Sequence, residues 1–209
     1  MAITGASGAV YARRLAQCVV RSPANLHLVA SPHGLRVVAE ELGLRKLTPA
    51  ALIGSAAPNA TLYSYRDIGA KIASGSFRTD GMVICPCSSN TLAAIAAGTG
   101  ENLVTRAAQV TLKEQRRLVL VPREMPLSQI EIANMLRISE AGGTICPACP
   151  GFYLLPKTID ELVDFVVGRV LDLFGLRHEL NVRWDPNSHR RPPASAETVV
   201  APAQPAPAE

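Results

Sequence analysis

Short apolar runs alternate along this chain with stretches of helical periodicity. The runs fall at residues 1–4, 26–30, 82–86, 118–122 and 144–147. Between them, apolar positions recur at the spacing of one helix face at 8–21, 33–43, 89–98, 102–114, 128–141 and 158–175. Runs that are apolar at nearly every position fit strands covered on both faces. Their alternation with helices predicts βαβ units and a parallel sheet, so the fold class is α/β. Asp160 and Glu161 open the last periodic stretch and Gly175 closes it, which matches the polarity and cap of a helix. Residues 45–80 are weakly patterned and carry Pro, Ser and Gly. They read as a long connection with one short helix and a strand. The first run begins at residue 1 and is shorter than a typical strand of about 5–6 residues. The expectation is that its true start lies upstream or that this part of the sheet is clipped. From Asp185 the composition turns to Pro, Ala, Ser and Glu, too poor in apolar area to order itself. The division is therefore a domain at 1–184 and a disordered tail at 185–209.

With 209 residues, 48% hydrophobic and 18% charged, the chain can bury one sizeable core. Aromatics make up only 4% and the net charge of +4 is spread out, which argues against a nucleic-acid reader that stacks bases. No apolar stretch reaches the roughly 18–20 residues of a membrane span, and no signal peptide precedes the first turn, so a cytoplasmic location is expected. The cysteines are Cys18, Cys85, Cys87, Cys146 and Cys149. The C-x-C and C-x-x-C spacings could together make a Cys₄ zinc site. The preferred reading is that both pairs end buried strands and pack as small hydrophobes, with no metal bound.

Candidate chemistry gathers where apolar runs end. Arg123 and Glu124 directly follow the run 118–122. In an open α/β sheet that exit is where ligands sit. An arginine there suits a phosphate or carboxylate, and a glutamate suits proton transfer. Gly5-Ala6-Ser7-Gly8 joins the first run to the first helix, where small residues let a ligand approach the backbone and a helix start offers free N–H groups to phosphate. The spacing is not G-x-G-x-x-G, so the dinucleotide fingerprint is not met. Ser88-Ser89-Asn90-Thr91 repeats the logic after Pro86-Cys87, with ordinary capping as the plain alternative. Arg106 and Lys113 are seven residues apart and share a helix face. Arg169 lies among Val166, Val167, Val170 and Leu171, so it needs an anionic partner: Asp164, a neighbouring subunit or a ligand phosphate.

These segments, with Val121-Pro122-Arg123-Glu124-Met125-Pro126 and Pro150-Gly151-Phe152-Tyr153, occur together and in order. The set resembles the UbiX family of flavin prenyltransferases over residues 1–184. The resemblance implies a three-layer flavodoxin-like or Rossmann-like domain with a parallel central sheet, assembled as a homododecamer. It implies reduced FMN as prenyl acceptor, dimethylallyl monophosphate as donor, no metal, and prenylated FMN as a product for UbiD-type decarboxylases. It assigns Gly5, Ala6, Ser7, Ser31, Ser88, Ser89, Asn90, Thr91 and Arg123 to the flavin. Lys113, Glu124, Arg106, Tyr153 and Arg169 surround the prenyl phosphate, some of them donated across a subunit interface, and Glu41 is a further active-site glutamate. Glu124, Lys113, Arg106 and Glu41 are the catalytic candidates, and Arg106 and Lys113 also bind substrate with Tyr153 and Arg169.

The residues suit this chemistry on their own terms. Breaking an allylic C–O bond leaves a phosphate, which Arg and Lys stabilise, and a delocalised cation, which an electron-rich ring stabilises. No D-D-x-x-D segment of the kind that holds Mg²⁺ on a diphosphate is present. Some relatives carry a Trp by the prenyl site; here that position aligns with Ile68, and the one Trp is Trp184. Two rivals are a non-catalytic flavin carrier and a flavin-dependent cysteine-type decarboxylase. The latter pairs an early His with an Asn-Met-Trp-type segment; His33 is present and the segment is not. A decarboxylase acting without a partner enzyme is a third. His27, His178 and His189 read as surface or packing residues.

Overall fold

The structure is a computed structural model and describes residues 1–180, 182 and 183. The expected tail, Trp184 and His189 lie outside the described residues. In chain order the elements are β1 (Ala2–Ile3), α1 (Ala9–Arg21), β2 (Leu26–Ala30), α2 (Pro32–Leu42), α3 (Pro49–Ile53), β3 (Ala60–Tyr63), β4 (Gly81–Cys87), α4 (Ser89–Ala96), α5 (Leu103–Lys113), β5 (Arg117–Pro122), α6 (Gln129–Glu140), β6 (Thr144–Ile145) and α7 (Ile159–Phe174). The weakly patterned connection supplies α3, the edge strand β3 and a 3₁₀ turn at Lys71–Ala73.

The six strands form one parallel sheet in the order β3-β2-β1-β4-β5-β6. The strand order reverses between β1, which pairs with β2, and β4, which pairs with β1 and β5. A crevice at the carboxyl ends of the strands is expected at that switch point. This is the α/β parallel sheet that the alternation of runs and helices predicts, in the flavodoxin-like form that the resemblance implies.

Strand alternation sorts the core into layers. Leu118 and Leu120 face a cluster with Ile84, Leu92, Leu103 and Val104 under α4 and α5. Val119 and Val121 face the opposite cluster with Val83, Val163, Val166, Val167 and Val170 under α7. A third cluster joins Ile3 and Leu28 to Val38, Leu52 and Ile53. Each such side chain contributes about 1.5–3 kcal/mol on leaving water. The two outer faces of the sheet are therefore closed, and polar chemistry is left to the strand ends.

Helix starts are written into the sequence by side chains that accept otherwise orphaned N–H groups. Ser31 caps α2, Thr48 caps α3, Ser88 caps α4 and Asn102 caps α5. Ser128 with Glu131, and Thr158 with Glu161, form reciprocal capping boxes on α6 and α7. Gly175 ends α7 in the left-handed conformation, as its position in the sequence predicts.

Arg169 is not where the sequence places it. Its side chain is 57% exposed on the outer side of α7 and reaches Asp172 at 3.4 Å. Asp164, one of the three partners the sequence leaves open, takes Arg14 in a bidentate pair at 2.5 and 2.9 Å that ties α1 to α7. At about 100° per residue, Arg169 lies roughly 130° around the axis from the centre of the face formed by Val166, Val167, Val170 and Leu171, which neighbouring composition does not register.

One glycine in α2 is fixed by close approach. A Cβ at Gly34 would stand 2.3 Å from the carbonyl oxygen of Ile3. Gly34→Ala is expected to lower unfolding stability by about 1–3 kcal/mol, because α2 must move off the end of β1. Chemical denaturation checks this, and an unchanged midpoint contradicts it.

Candidate active site

Three turns meet at the carboxyl ends of β1, β4 and β5, and specific hydrogen bonds join them. Thr4 directly follows β1 and is 1% exposed. Its hydroxyl donates to the Pro86 carbonyl at 2.9 Å and accepts the Ser88 N–H at 2.8 Å. Ser88 in turn accepts the Thr91 N–H at 3.3 Å and donates to the Thr91 hydroxyl at 3.1 Å. Ser89 donates to Glu124 Oε2 at 3.0 Å. Arg123 Nε donates to the Ser7 carbonyl at 3.3 Å. The Gly5–Gly8 turn, the Ser88–Thr91 turn and the Arg123–Glu124 segment thus form one polar rim at the switch point. The β2 exit joins it through the Ser31 N–H, which donates to the Ile3 carbonyl at 2.9 Å. Gly5, Ser7, Asn90, Arg123 and Glu124 are exposed along this rim, and Ala6, Ser31 and Thr91 are buried behind it.

The Gly5–Gly8 turn is shaped for close approach. A Cβ at Gly5 would lie 2.6 Å from His33 Cβ, and Gly8 has φ +117° beside the Tyr11 ring. Only glycine takes both positions without a shift. The α1 N-terminus is nevertheless not open. Glu41 accepts the Gly8 N–H at 3.0 Å and the Ala9 N–H at 2.7 Å. The expectation that this helix start presents free N–H groups is corrected for these two: the Glu41 carboxylate occupies them, a favourable place for negative charge. The groups the rim can still offer an anion are the hydroxyls of Ser88, Ser89 and Thr91, the Ser7 turn and the Arg123 guanidinium. This set of small residues, hydroxyls and one cation fits a flavin mononucleotide, whose phosphate takes charge-assisted bonds and whose ring needs close backbone approach.

Lys113 and Glu124 do not converge within one protomer. Lys113 ends α5, just before β5 starts at Arg117, and Glu124 follows the other end of that strand. At roughly 3.3 Å per residue, β5 separates the two levels by about 17 Å. Lys113 lies at the amino-end edge, 2.6 Å from Glu114, whose carboxyl it holds below its ordinary value. Arg106 is exposed on the same helix. Arg169 precedes Phe174, whose ring lies beside Gly81 and Arg117 at that same edge. Tyr153 is half-exposed and stacks edge-on against Phe165 at 5.6 Å between ring centroids. Of these four, Lys113 is set at the far edge by the run of β5, whereas Tyr153 lies beyond the carboxyl exit of β6, the strand next to β5.

Met125 (86% exposed), Leu127, Ile130, Ile132 and Leu136 run from the rim along α6, and Phe152, Leu155 and Ile159 (74%) stand beyond β6. Apolar area of this extent at a site border marks an interaction surface. A groove of about 680 Å³ also opens at the amino-end edge, among Met1, His27, Phe77, Arg78 and Phe174. It holds none of the strand-exit hydroxyls, so the chemistry is assigned to the rim.

The remaining residues have structural roles. His27 bonds the Tyr63 hydroxyl at 3.0 Å and packs against Phe77, and His178 bonds Asp172 at 3.2 Å. Ile68 is 55% exposed in the connection before β4. Thr4 escaped the sequence reading. A threonine at a strand end is common, and the partner that gives it meaning is 84 residues away.

Among the described residues no helix is long and apolar enough to cross a membrane, and no group of three His, Cys, Asp or Glu could hold a metal ion.

The model of the Flavoprotein family matches residues 1–171. The flavin prenyltransferase UbiX of Halalkalibacterium halodurans is 48% identical over 186 residues, which cover 87% of this chain and 90% of that protein. The crystal structure of AnUbiX (PadA1) in complex with FMN and dimethylallyl pyrophosphate superposes with a TM-score of 0.80 at 41% identity, covering 88% of this chain and 95% of that one. A dodecameric FMN-dependent UbiX-like decarboxylase from Escherichia coli gives 0.78 at 44% identity, covering 88% and 100%. The fold and rim define a flavoprotein of the α/β class. Within that class, the chain belongs to the UbiX flavin prenyltransferase family.

The expected packing of both cysteine pairs holds for Cys85 and Cys87, which are buried, and is corrected for the second pair: Cys146 is half-buried and Cys149 is exposed on the segment after β6. Cys85 lies in the cluster under α7 and Cys87 in the cluster under α4 and α5, on opposite faces of the sheet. The two cannot chelate one ion. Burial pushes the Cys85 thiol far up and the Cys87 thiol up to about 12. In native protein treated with iodoacetamide near neutral pH, both are expected to stay unmodified and to react fully in denaturant. Native alkylation of Cys87, read by peptide mass spectrometry, contradicts the placement.

Proposed function

We propose that this chain is a flavin prenyltransferase. It joins the dimethylallyl group of dimethylallyl monophosphate to N5 and C6 of reduced FMN, without a metal ion. The product, prenylated FMN, passes in the cytoplasm to a UbiD-type decarboxylase. The observation that carries the reading is Glu124, held by Ser89 beside Arg123 at the exit of β5. The relative solved with FMN and dimethylallyl pyrophosphate supports it.

FMN is the acceptor substrate. Its reduced ring supplies an electron-rich nucleophile. Ser7, the Ser88–Thr91 hydroxyls and Arg123 bind and orient it against the rim. Cleavage of the allylic C–O bond leaves phosphate, whose charge Lys113, Arg106 and Arg169 offset, with Tyr153 positioning the ester. Bonding at N5 displaces phosphate, which leaves with the N5 proton. Ring closure then adds a proton to the prenyl double bond as C6 bonds and loses its own, and the Glu124 carboxyl, as acid and base, exchanges these protons. Glu41 keeps the Gly5–Gly8 turn in register with the flavin through its grip on Gly8 and Ala9.

The separation of Lys113 from Glu124 along β5 calls for an oligomer, and the dodecameric relative supports a homododecamer with sites between subunits. Subunit complementation tests both the roles and the assembly. Glu124→Gln and Lys113→Ala homo-oligomers are each expected to retain FMN and to lose about 100-fold or more in prenyl transfer. Co-expressed in mixed oligomers they recover part of the parent activity, because some interfaces pair an intact Lys113 with an intact Glu124. Full turnover by Glu124→Gln removes this residue from the mechanism. Mixed oligomers no better than either parent variant place both residues in one protomer.

A further inference from the structure

We propose that Thr4 is a positioning residue for flavin binding, acting through the Ser88 turn rather than by touching the ligand. The proposal rests on the reading of the rim as the FMN site. The β1–β4 ladder registers Ala2 against Ile84, and on its other side β4 shifts register against β5 between Ile84 and Cys87. Pro86 has no N–H with which to continue a ladder. Beyond that shift, β1 and β4 stay joined through Thr4. Its N–H donates to the Pro86 carbonyl at 3.2 Å, and its hydroxyl donates to the same oxygen at 2.9 Å. The hydroxyl also accepts the Ser88 N–H at 2.8 Å.

The second of these bonds matters most for the site. Ser88 is the cap of α4, so its own N–H has no partner inside the helix. The Thr4 hydroxyl supplies that partner from β1. It therefore sets the distance between the Gly5–Gly8 turn, which begins at the next residue, and the Ser88–Thr91 turn. Both turns are assigned to the same ligand. Without the hydroxyl, a buried N–H and a carbonyl lone pair compete for other partners, and the α4 start swings away from the Gly5 turn.

The test compares Thr4→Val, which keeps the shape and removes both hydroxyl bonds, with Thr4→Ser, which keeps the bonds. The readouts are the FMN dissociation constant by flavin fluorescence, the Michaelis constant for dimethylallyl monophosphate and thermal unfolding. Thr4→Val is expected to weaken FMN about tenfold while leaving the donor Michaelis constant unchanged, and Thr4→Ser to stay within about twofold of the parent. FMN affinity in folded Thr4→Val equal to the parent overturns the proposal, as does an equal loss in Thr4→Ser. Where Thr4→Val does not fold, amide hydrogen exchange at Ser88 in the parent and in Thr4→Ser decides. Slow exchange in both supports the bond, and exchange at the free-peptide rate overturns it. Failure of the flavin reading looks different: the parent itself then binds no FMN, while Ser88 exchange still reports on Thr4.

Discussion

The site depends on keeping three strand exits in fixed relation where the sheet no longer pairs them. A parallel sheet holds its strands by ladders, but the ladders stop at the carboxyl ends, where ligands bind. Here the work passes to side chains. Thr4 spans the exits of β1 and β4, Ser89 reaches Glu124 across to β5, and Arg123 returns to the Ser7 carbonyl. Each bond is modest alone, about 1 kcal/mol net. Together they close a circuit, so that displacing one turn strains the other two. Glu41 extends the circuit to α2 by taking the first N–H groups of α1. Lys113 is not in this circuit, because α5 ends at the opposite edge of the sheet.

That division explains two features that look unrelated in a single protomer. One is a rim rich in hydroxyls and an exposed guanidinium, suited to an anionic flavin yet lacking a lysine. The other is an apolar strip from Met125 along α6, with Phe152 and Ile159 nearby, that an isolated chain would leave in water. The proposed association of copies would account for both at once, burying the strip and bringing Lys113 of one copy to the Glu124 of another. Membership of the UbiX flavin prenyltransferases, and a dodecameric relative at 44% identity, agree with this picture.

Much of the fold was legible because both faces of the sheet are covered. The runs at 82–86 and 118–122 are apolar throughout, and helix starts at Ser31, Ser88, Ser128 and Thr158 carry their caps in the sequence. The strand exits were legible too, since Gly5–Gly8, Ser88–Thr91 and Arg123–Glu124 each stand just after an apolar run. Long-range pairings were not. Arg14 and Asp164 are 150 residues apart, so the sequence could offer Asp164 only as one of three partners for Arg169. Glu41 lies 33 residues from Gly8, and only the fold shows its carboxylate on the α1 start. Arg169 was misread because composition around a helix position does not say which side of the axis it occupies. Lys113 and Glu124 sit close in sequence, and β5 carries them to opposite edges of the sheet.

The central claim is that this rim, completed by neighbouring copies, transfers a prenyl group to reduced FMN. The most direct measurement is anaerobic. The assembled protein is loaded with FMN, reduced, supplied with dimethylallyl monophosphate in the presence of a chelator, and the released flavin is weighed by mass spectrometry. The account predicts a flavin heavier by one C₅H₈ unit. A flavin of unchanged mass, released from protein that had bound both FMN and the donor, contradicts it.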